Sequence, residues 1–141
     1  MIELDNRTAL LIDEKLLNTI ANLFTSKEIE LIITTEEEIQ SINKQYRNID
    51  TSTDVLSFPY EDMPMSPLGS IVISSSHVIE KAKELSHTQS DETTLLFIHG
   101  LLHLLGFDHE IDNGEMREEE KKLIKKFSLP KSLIIRTQEE G

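Results

Sequence analysis

The chain has 141 residues, no cysteine and a formal net charge of −12. This length supports one domain with a hydrophobic core, and we predict that residues 1–141 form it. The lack of cysteine excludes disulfides and thiolate metal ligands, and the charge disfavours extended contact with nucleic acid. Seven of the fourteen basic residues lie between Arg117 and Arg136, which fits a solvated helix face. The N-terminus is acidic and the longest apolar run is short, so we expect a soluble, cytoplasmic protein without membrane contact.

Hydrophobic periodicity predicts an α+β fold. In chain order we predict a strand at 2–4, a helix at 13–24, a strand at 28–35, a helix at 35–46, strands at 54–60 and 69–74, and helices at 76–85, 90–105 and 114–127. Two prolines predict a loop at 61–67, and residues 132–136 fit a short strand or a docking tail. Because helices and strands do not alternate regularly, we expect a single compact domain with a small mixed sheet packed against helices.

The segment FIHGLLHLLGFDH at residues 97–109 carries the strongest chemical signal. The helix is apolar on nearly every face and is therefore expected to be buried, where a histidine needs a partner. His99 and His103 are four residues apart, so their rings lie on one face. Gly106 permits a left-handed helix end, and the reversal brings His109 to the same face. We predict a metal site on a buried helix and the turn after it, with a fourth position left for water.

The spacing H-x-x-x-H-x-x-G-x-x-H also occurs in the metzincin peptidases. In those enzymes the first histidine is followed by a glutamate that acts as the general base, and here that position is Gly100. If this chain is a peptidase, it therefore has the three metal ligands but lacks the glutamate that acts as the general base. The alternative without a metal is a pair of core histidines bonded to backbone carbonyls.

Three segments resemble the YbeY-type endoribonuclease family of bacterial rRNA maturation factors. HGLLHLLGFDH is similar to its signature His-Gly-x-Leu-His-Leu-x-Gly-Tyr-Asp-His, with Phe107 in place of tyrosine. YRNIDTSTDVLSFP, at residues 46–59, resembles its Tyr-Arg … Thr-Asp-Val-Leu-Ser-Phe-Pro segment. LGSIVIS, at residues 68–74, resembles its Leu-Gly-Asp-Ile segment, with Ser70 in place of aspartate.

The resemblance implies a metal-dependent endoribonuclease that cleaves single-stranded RNA. It implies a role in rRNA processing, namely 16S rRNA 3′-end maturation, and in ribosome quality control, with components of the small ribosomal subunit as candidate partners. His99, His103 and His109 correspond to the ligands of one Zn²⁺ per chain, and Arg47 completes the set of catalytic residues. Two alternatives stay open: a metallopeptidase-like metallohydrolase, and a non-catalytic ribosome-assembly factor with a structural metal.

Arg47 and Asp108 each support two interpretations from the sequence alone. Arg47 follows a predicted helix and precedes a strand, where its planar guanidinium fits a phosphodiester. It also fits a surface salt bridge with Asp50 or Asp54. Asp108 fits either a contact that orients a histidine ligand or a cap for the turn after the helix.

Several other polar residues are expected to have structural or solvated positions. His77 and His87 lie near the ends of a predicted helix, and we expect both to be solvated. Ser57 and Phe58 lie on a strand that either lines the cleft or is buried by packing. The charged run at residues 118–122 is typical of a solvated helix face.

Overall fold

The structure is a computed structural model that describes residues 1–133. Its elements are β1 (Ile2–Asn6), α1 (Glu14–Asn22), β2 (Ile29–Thr34), α2 (Glu36–Arg47), β3 (Val55–Pro59), β4 (Gly69–Ser74), α3 (Ser75–Leu85), α4 (Gln89–Leu104) and α5 (Glu115–Lys126). Each strand and helix predicted from periodicity is present, with ends that agree within two residues. Of the predicted strand or docking tail at 132–136, residues 134–136 lie outside the described part of the chain.

The four strands form one mixed sheet in the order β1-β2-β4-β3. β1, β2 and β4 are parallel, whereas β3 runs antiparallel to β4 at one edge. Every residue of β4 is buried because helices cover both faces of the sheet, which explains its continuous apolar run. Ile71 and Ile73 join the core under α4, and Val72 packs with Ile39 on the α2 side. The α+β prediction, with a small mixed sheet packed against helices, is confirmed.

Helix α4 lies at the centre of the core, where twelve of its sixteen residues are buried. It approaches the sheet closely at Gly100, where a Cβ atom would lie 2.9 Å from Ile71 Cγ2. At the same point Ser57 Oγ donates a hydrogen bond of 3.2 Å to the Gly100 carbonyl. The helix therefore contacts β3 and β4 at a distance that only glycine permits. Within residues 1–133, no helix has the length and apolar character needed to cross a membrane.

Helix α4 ends in a Schellman motif. Gly106 has a φ of +102°, and its N–H donates to the His103 carbonyl at 3.0 Å. The Phe107 N–H donates to the Leu102 carbonyl, also at 3.0 Å. These two bonds satisfy carbonyls that the end of the helix leaves free. The predicted left-handed glycine is thus confirmed, and it turns the chain back toward the helix.

We expect Gly106→Ala to lower the free energy of unfolding of the metal-free protein by about 1–2 kcal/mol. An L-residue in a left-handed conformation carries strain of about this size. No heavy atom lies within 4 Å of the Cβ position, so a steric clash does not contribute. Gly106→Asn is expected to lose less, because asparagine enters the left-handed region more readily. Urea unfolding measures both variants, and equal losses would contradict a backbone origin.

Two predictions of solvated side chains are wrong. His87 is buried: its Nε2 lies 2.8 Å from Glu92 Oε1, and both side chains are 1% exposed. Its Nδ1 lies 2.8 Å from Ser132 Oγ, so the chain after α5 docks on the core at this point. In the charged run at 118–122, Glu120 is fully buried. His77 is half-buried and contacts Ser74 Oγ through Nδ1 at 2.8 Å.

Candidate metal centre

The three histidines of the predicted site lie together, with one ring nitrogen from each within 4.8 Å of the others. His99 Nε2 and His103 Nε2 are 3.2 Å apart. Two nitrogens that bind one tetrahedral zinc ion at 2.0–2.1 Å are separated by about 3.3 Å. His109 Nδ1 is buried and has no hydrogen-bond partner among residues 1–133. The donor set and its spacing therefore fit one metal ion.

The ring of His103 is held in the orientation that a metal ligand needs. Its Nδ1 lies 3.0 Å from the Phe107 carbonyl. A carbonyl only accepts hydrogen bonds, so Nδ1 carries the proton and Nε2 keeps its lone pair. Burial, followed by the neighbouring His99, lowers the pKa of His103 below its ordinary value of 6.5. Burial and the neighbouring His99 both favour the neutral imidazole that binds metals.

The loop that carries His109 is fixed at both ends. Asp108 Oδ1 accepts a hydrogen bond of 3.0 Å from the Glu110 N–H, so Asp108 caps the turn. Asp112 accepts from the backbone N–H groups of Gly114 and Met116 at 2.8 and 3.0 Å, where α5 begins. These two bonds lower the pKa of the Asp112 carboxyl group. Of the two interpretations of Asp108, the structure supports the cap.

The histidines line a cleft of about 670 Å³. Its opposite wall consists of β3 and the segment before it, and it includes the exposed side chain of Arg47 at the end of α2. Arg47 forms no ion pair with Asp50 or Asp54 in the described part of the chain, and Asp50 is paired with Lys44 at 3.8 Å. The structure therefore brings all four predicted site residues to one cleft.

The neighbours Ser57 and Phe58 point to opposite faces of β3. Ser57 lines the cleft and bonds to α4. Phe58 packs in the cluster of Ile39 and Leu56, and its ring centre lies 5.7 Å from that of Tyr46. Lining of the cleft thus applies to Ser57, and burial by packing applies to Phe58. Ser70, which replaces the aspartate of the resembled segment, is buried in β4.

A model of the family described as Endoribonuclease YbeY matches residues 3–128. The chain is 62% identical to the Endoribonuclease YbeY of Sulfurimonas denitrificans over 138 residues, which cover 98% of this chain and 99% of that protein. This chain belongs to the Endoribonuclease YbeY family. The Helicobacter pylori protein of the same name is 52% identical over 140 residues, which cover 99% of each chain.

A solved structure shares the fold. The solution structure of TM1509 from Thermotoga maritima superposes with a TM-score of 0.61 at 28% sequence identity, and the match covers 99% of this chain and 93% of that one. The similarity over nearly the whole of both chains agrees with the family assignment.

Gly100 distinguishes this YbeY-family site from the metzincin arrangement. A Cβ atom there would lie 2.9 Å from Ile71 Cγ2 and 3.1 Å from Ser57 Oγ. A side chain at this position has to displace the Ile71 side chain, which packs in the core. Packing as well as sequence therefore disfavours the general base of the peptidases at this position.

Glu120 is the residue near the centre that periodicity alone did not identify. Its Oε1 lies 3.5 Å from His99 Nδ1, and the side chain is fully buried. The sequence does contain a signal: Glu120 is four residues after Met116 and four before Ile124, both buried. A glutamate in the middle of an apolar helical stripe is a candidate for a buried functional contact.

We expect His99→Ala, His103→Ala and His109→Ala each to lower the metal content of the purified protein sharply. Each change removes one of three donors, and the remaining two hold a zinc ion far less tightly. His77→Ala is the matched control, because this histidine bonds to Ser74 and is not part of the cluster. Metal analysis of the dialysed proteins measures the effect. Parental metal content in His109→Ala would exclude a three-histidine site.

We expect bound metal to be retained at neutral pH and released below about pH 6. Protons compete with the metal for the imidazole nitrogens. Burial and the neighbouring His99 lower the pKa of His103, so this imidazole stays unprotonated at neutral pH. A metal-chelating dye measures release during an acid titration. Retention down to about pH 4, where only carboxylates titrate, would indicate carboxylate ligands.

Proposed function

We propose that this protein is a zinc-dependent endoribonuclease that cleaves single-stranded RNA, with His99, His103 and His109 as metal ligands and Arg47 as the phosphate-binding group. The general activity follows from membership of the family: the protein is an endoribonuclease of rRNA processing, and RNA is its partner. The observation that carries the assignment of roles is that Arg47 and the three histidines line one cleft.

The donor set supports zinc over magnesium and calcium. All three donors are imidazole nitrogens, which suit zinc, whereas magnesium and calcium prefer oxygen. When bound, such an ion supplies Lewis-acid stabilisation of phosphate charge and lowers the pKa of water. Within residues 1–133, no fourth His, Asp or Glu joins the cluster. Three protein ligands are typical of catalytic zinc sites, which disfavours a structural metal.

Arg47 supports a phosphodiester substrate. Its guanidinium is exposed to the cleft and is not neutralised by Asp50, which pairs with Lys44. A planar cation opposite the histidines is suited to hold two phosphate oxygens. Negative charge grows and spreads over these oxygens in the transition state, so the cation contributes most there. A peptide bond is uncharged in the ground state and develops one oxyanion in the transition state, so a peptidase has less use for a fork that holds two phosphate oxygens.

The size of the cleft and the charge of the chain support a short stretch of single-stranded RNA. About 670 Å³ lies in the range of sites for small ligands, which suits a few nucleotides better than a duplex. With a net charge of −12, the surface as a whole repels a polyanion. We therefore propose that basic components of the small ribosomal subunit bring the cytoplasmic protein to the 3′ end of 16S rRNA.

We expect Arg47→Ala to reduce cleavage of single-stranded RNA about 10²-fold or more, a typical cost of removing one electrostatic group. Arg47→Lys is expected to recover only part of the rate, because a point charge does not reproduce the bidentate contact. Lys126→Ala is the matched control: it removes one exposed positive charge from α5, outside the cleft. Single-turnover cleavage of a labelled RNA, with metal content checked in each variant, measures the effect.

Near-parental cleavage by Arg47→Ala would remove Arg47 from the mechanism. An unstructured peptide incubated with the metal-loaded parent tests the competing class. Cleavage of the peptide without cleavage of RNA would identify a metallopeptidase instead, and cleavage of neither by fully loaded protein would favour the assembly factor.

A further inference from the structure

Glu120 is a carboxylate buried without the usual compensation. The side chain is fully buried on the inner face of α5, between the buried Met116 and Ile124. Neither Oε1 nor Oε2 has a hydrogen-bond partner in the described part of the chain. A buried carboxylate is costly unless a charge or a donor faces it. The group that faces Glu120 is the ring of His99, whose Nδ1 lies 3.5 Å from Oε1.

The geometry separates Glu120 from the metal position. His99 Nε2 faces His103 Nε2 at 3.2 Å, on the side of the ring where the ion would bind. Nδ1 lies on the other side of the same ring, and Glu120 approaches from there. The carboxylate is therefore behind His99 and is not a further ligand. A small rotation of the ring or of the carboxylate shortens the 3.5 Å distance between His99 Nδ1 and Glu120 Oε1 to that of a normal hydrogen bond.

We propose that Glu120 is a positioning residue that accepts the Nδ1–H of His99 and so presents the lone pair of Nε2 to the metal. His103 has an equivalent partner in the Phe107 carbonyl. The two ligands on α4 thus receive their orientation from different groups, one a backbone carbonyl and the other a carboxylate. The negative charge also makes the imidazole a stronger donor to a cation. This inference rests on the metal site of the proposed function.

A purely structural role explains Glu120 less well. The carboxylate occupies a position in the apolar stripe of α5 where a leucine would fit the pattern. Replacing a buried charge by an apolar group of similar size is often neutral or stabilising. Glu120 therefore does not favour folding of the metal-free chain, but it becomes favourable once His99 binds a cation.

The experiment measures zinc affinity of the metal-free protein by competition with a chelator. We expect Glu120→Gln to weaken zinc binding about tenfold, because the amide oxygen still accepts the bond but carries no charge. Glu120→Leu removes the acceptor, and we expect a loss toward 100-fold; partners of ligating histidines typically account for 10–100-fold. The matched control is Glu92→Gln, since Glu92 is equally buried and also faces a histidine, His87, outside the metal cluster. Its zinc affinity is expected to equal that of the parent.

Two readouts separate positioning from structure. Urea unfolding of the metal-free variants is expected to show Glu120→Leu at least as stable as the parent. In the zinc-loaded parent, nitrogen NMR of the His99 ring is expected to show a protonated Nδ1 and a metal-bound Nε2. This measurement needs no variant and therefore tests the inference even if a variant fails to fold.

The results distinguish this inference from the proposed function. Parental zinc affinity in both Glu120 variants, or a His99 ring bound to zinc through Nδ1, overturns the positioning role and leaves the three-histidine site intact. A parent protein that binds no zinc overturns the proposed function and this inference together.

Discussion

The close packing of α4 against the sheet at Gly100 determines where the functional groups lie. A helix that is apolar on nearly every face is stable only when it is covered on all sides. The missing side chain lets the helix backbone contact Ile71 and Ser57 directly. This contact places the C-terminal half of α4, with His99 and His103, beside the edge strand β3. One wall of the cleft is therefore the helix, and the other is the strand that the helix touches.

The Schellman motif and the start of α5 complete this arrangement. Gly106 reverses the chain, and Asp112 fixes the first turn of α5 through two backbone N–H groups. The short loop between them holds the ring of His109 beside those of His99 and His103. α5 then runs back along α4 and brings Glu120 behind His99. The end of α4, the loop and α5 thus supply in turn the two helical histidines, His109 and Glu120.

The sequence predicted the fold and the cluster of three histidines because both depend on local patterns. Apolar residues repeat with the period of a helix or a strand, and this period identified each element from Ile2 to Lys126. The spacing of His99, His103 and His109 around Gly106 is equally local. Within about ten residues, helix geometry and one glycine fix which side chains meet.

The contacts that the sequence did not predict join residues far apart in the chain. Glu120 lies in a run of charges, and only the packing of α5 on α4 shows which member of the run is buried. His87 looked like a solvated helix end, but it is covered by Glu92 and Ser132. The sequence left the role of Arg47 open between a phosphate contact and a surface salt bridge. The cleft that separates these two roles forms only when β3 pairs with β4.

The cover of α4 by the last described residues makes this helix depend on a segment that lies away from the cleft. Leu95 of α4 is buried against Ile124 of α5 and Leu133, and Ser132 closes the contact over His87. All four strands and α4 are complete by residue 104, yet the apolar helix lacks part of its cover without residues 124–133. Loss of this segment by proteolysis consequently exposes an aggregation-prone apolar surface on the core helix. The helix that carries His99 and His103 thus depends on contacts made at its other end.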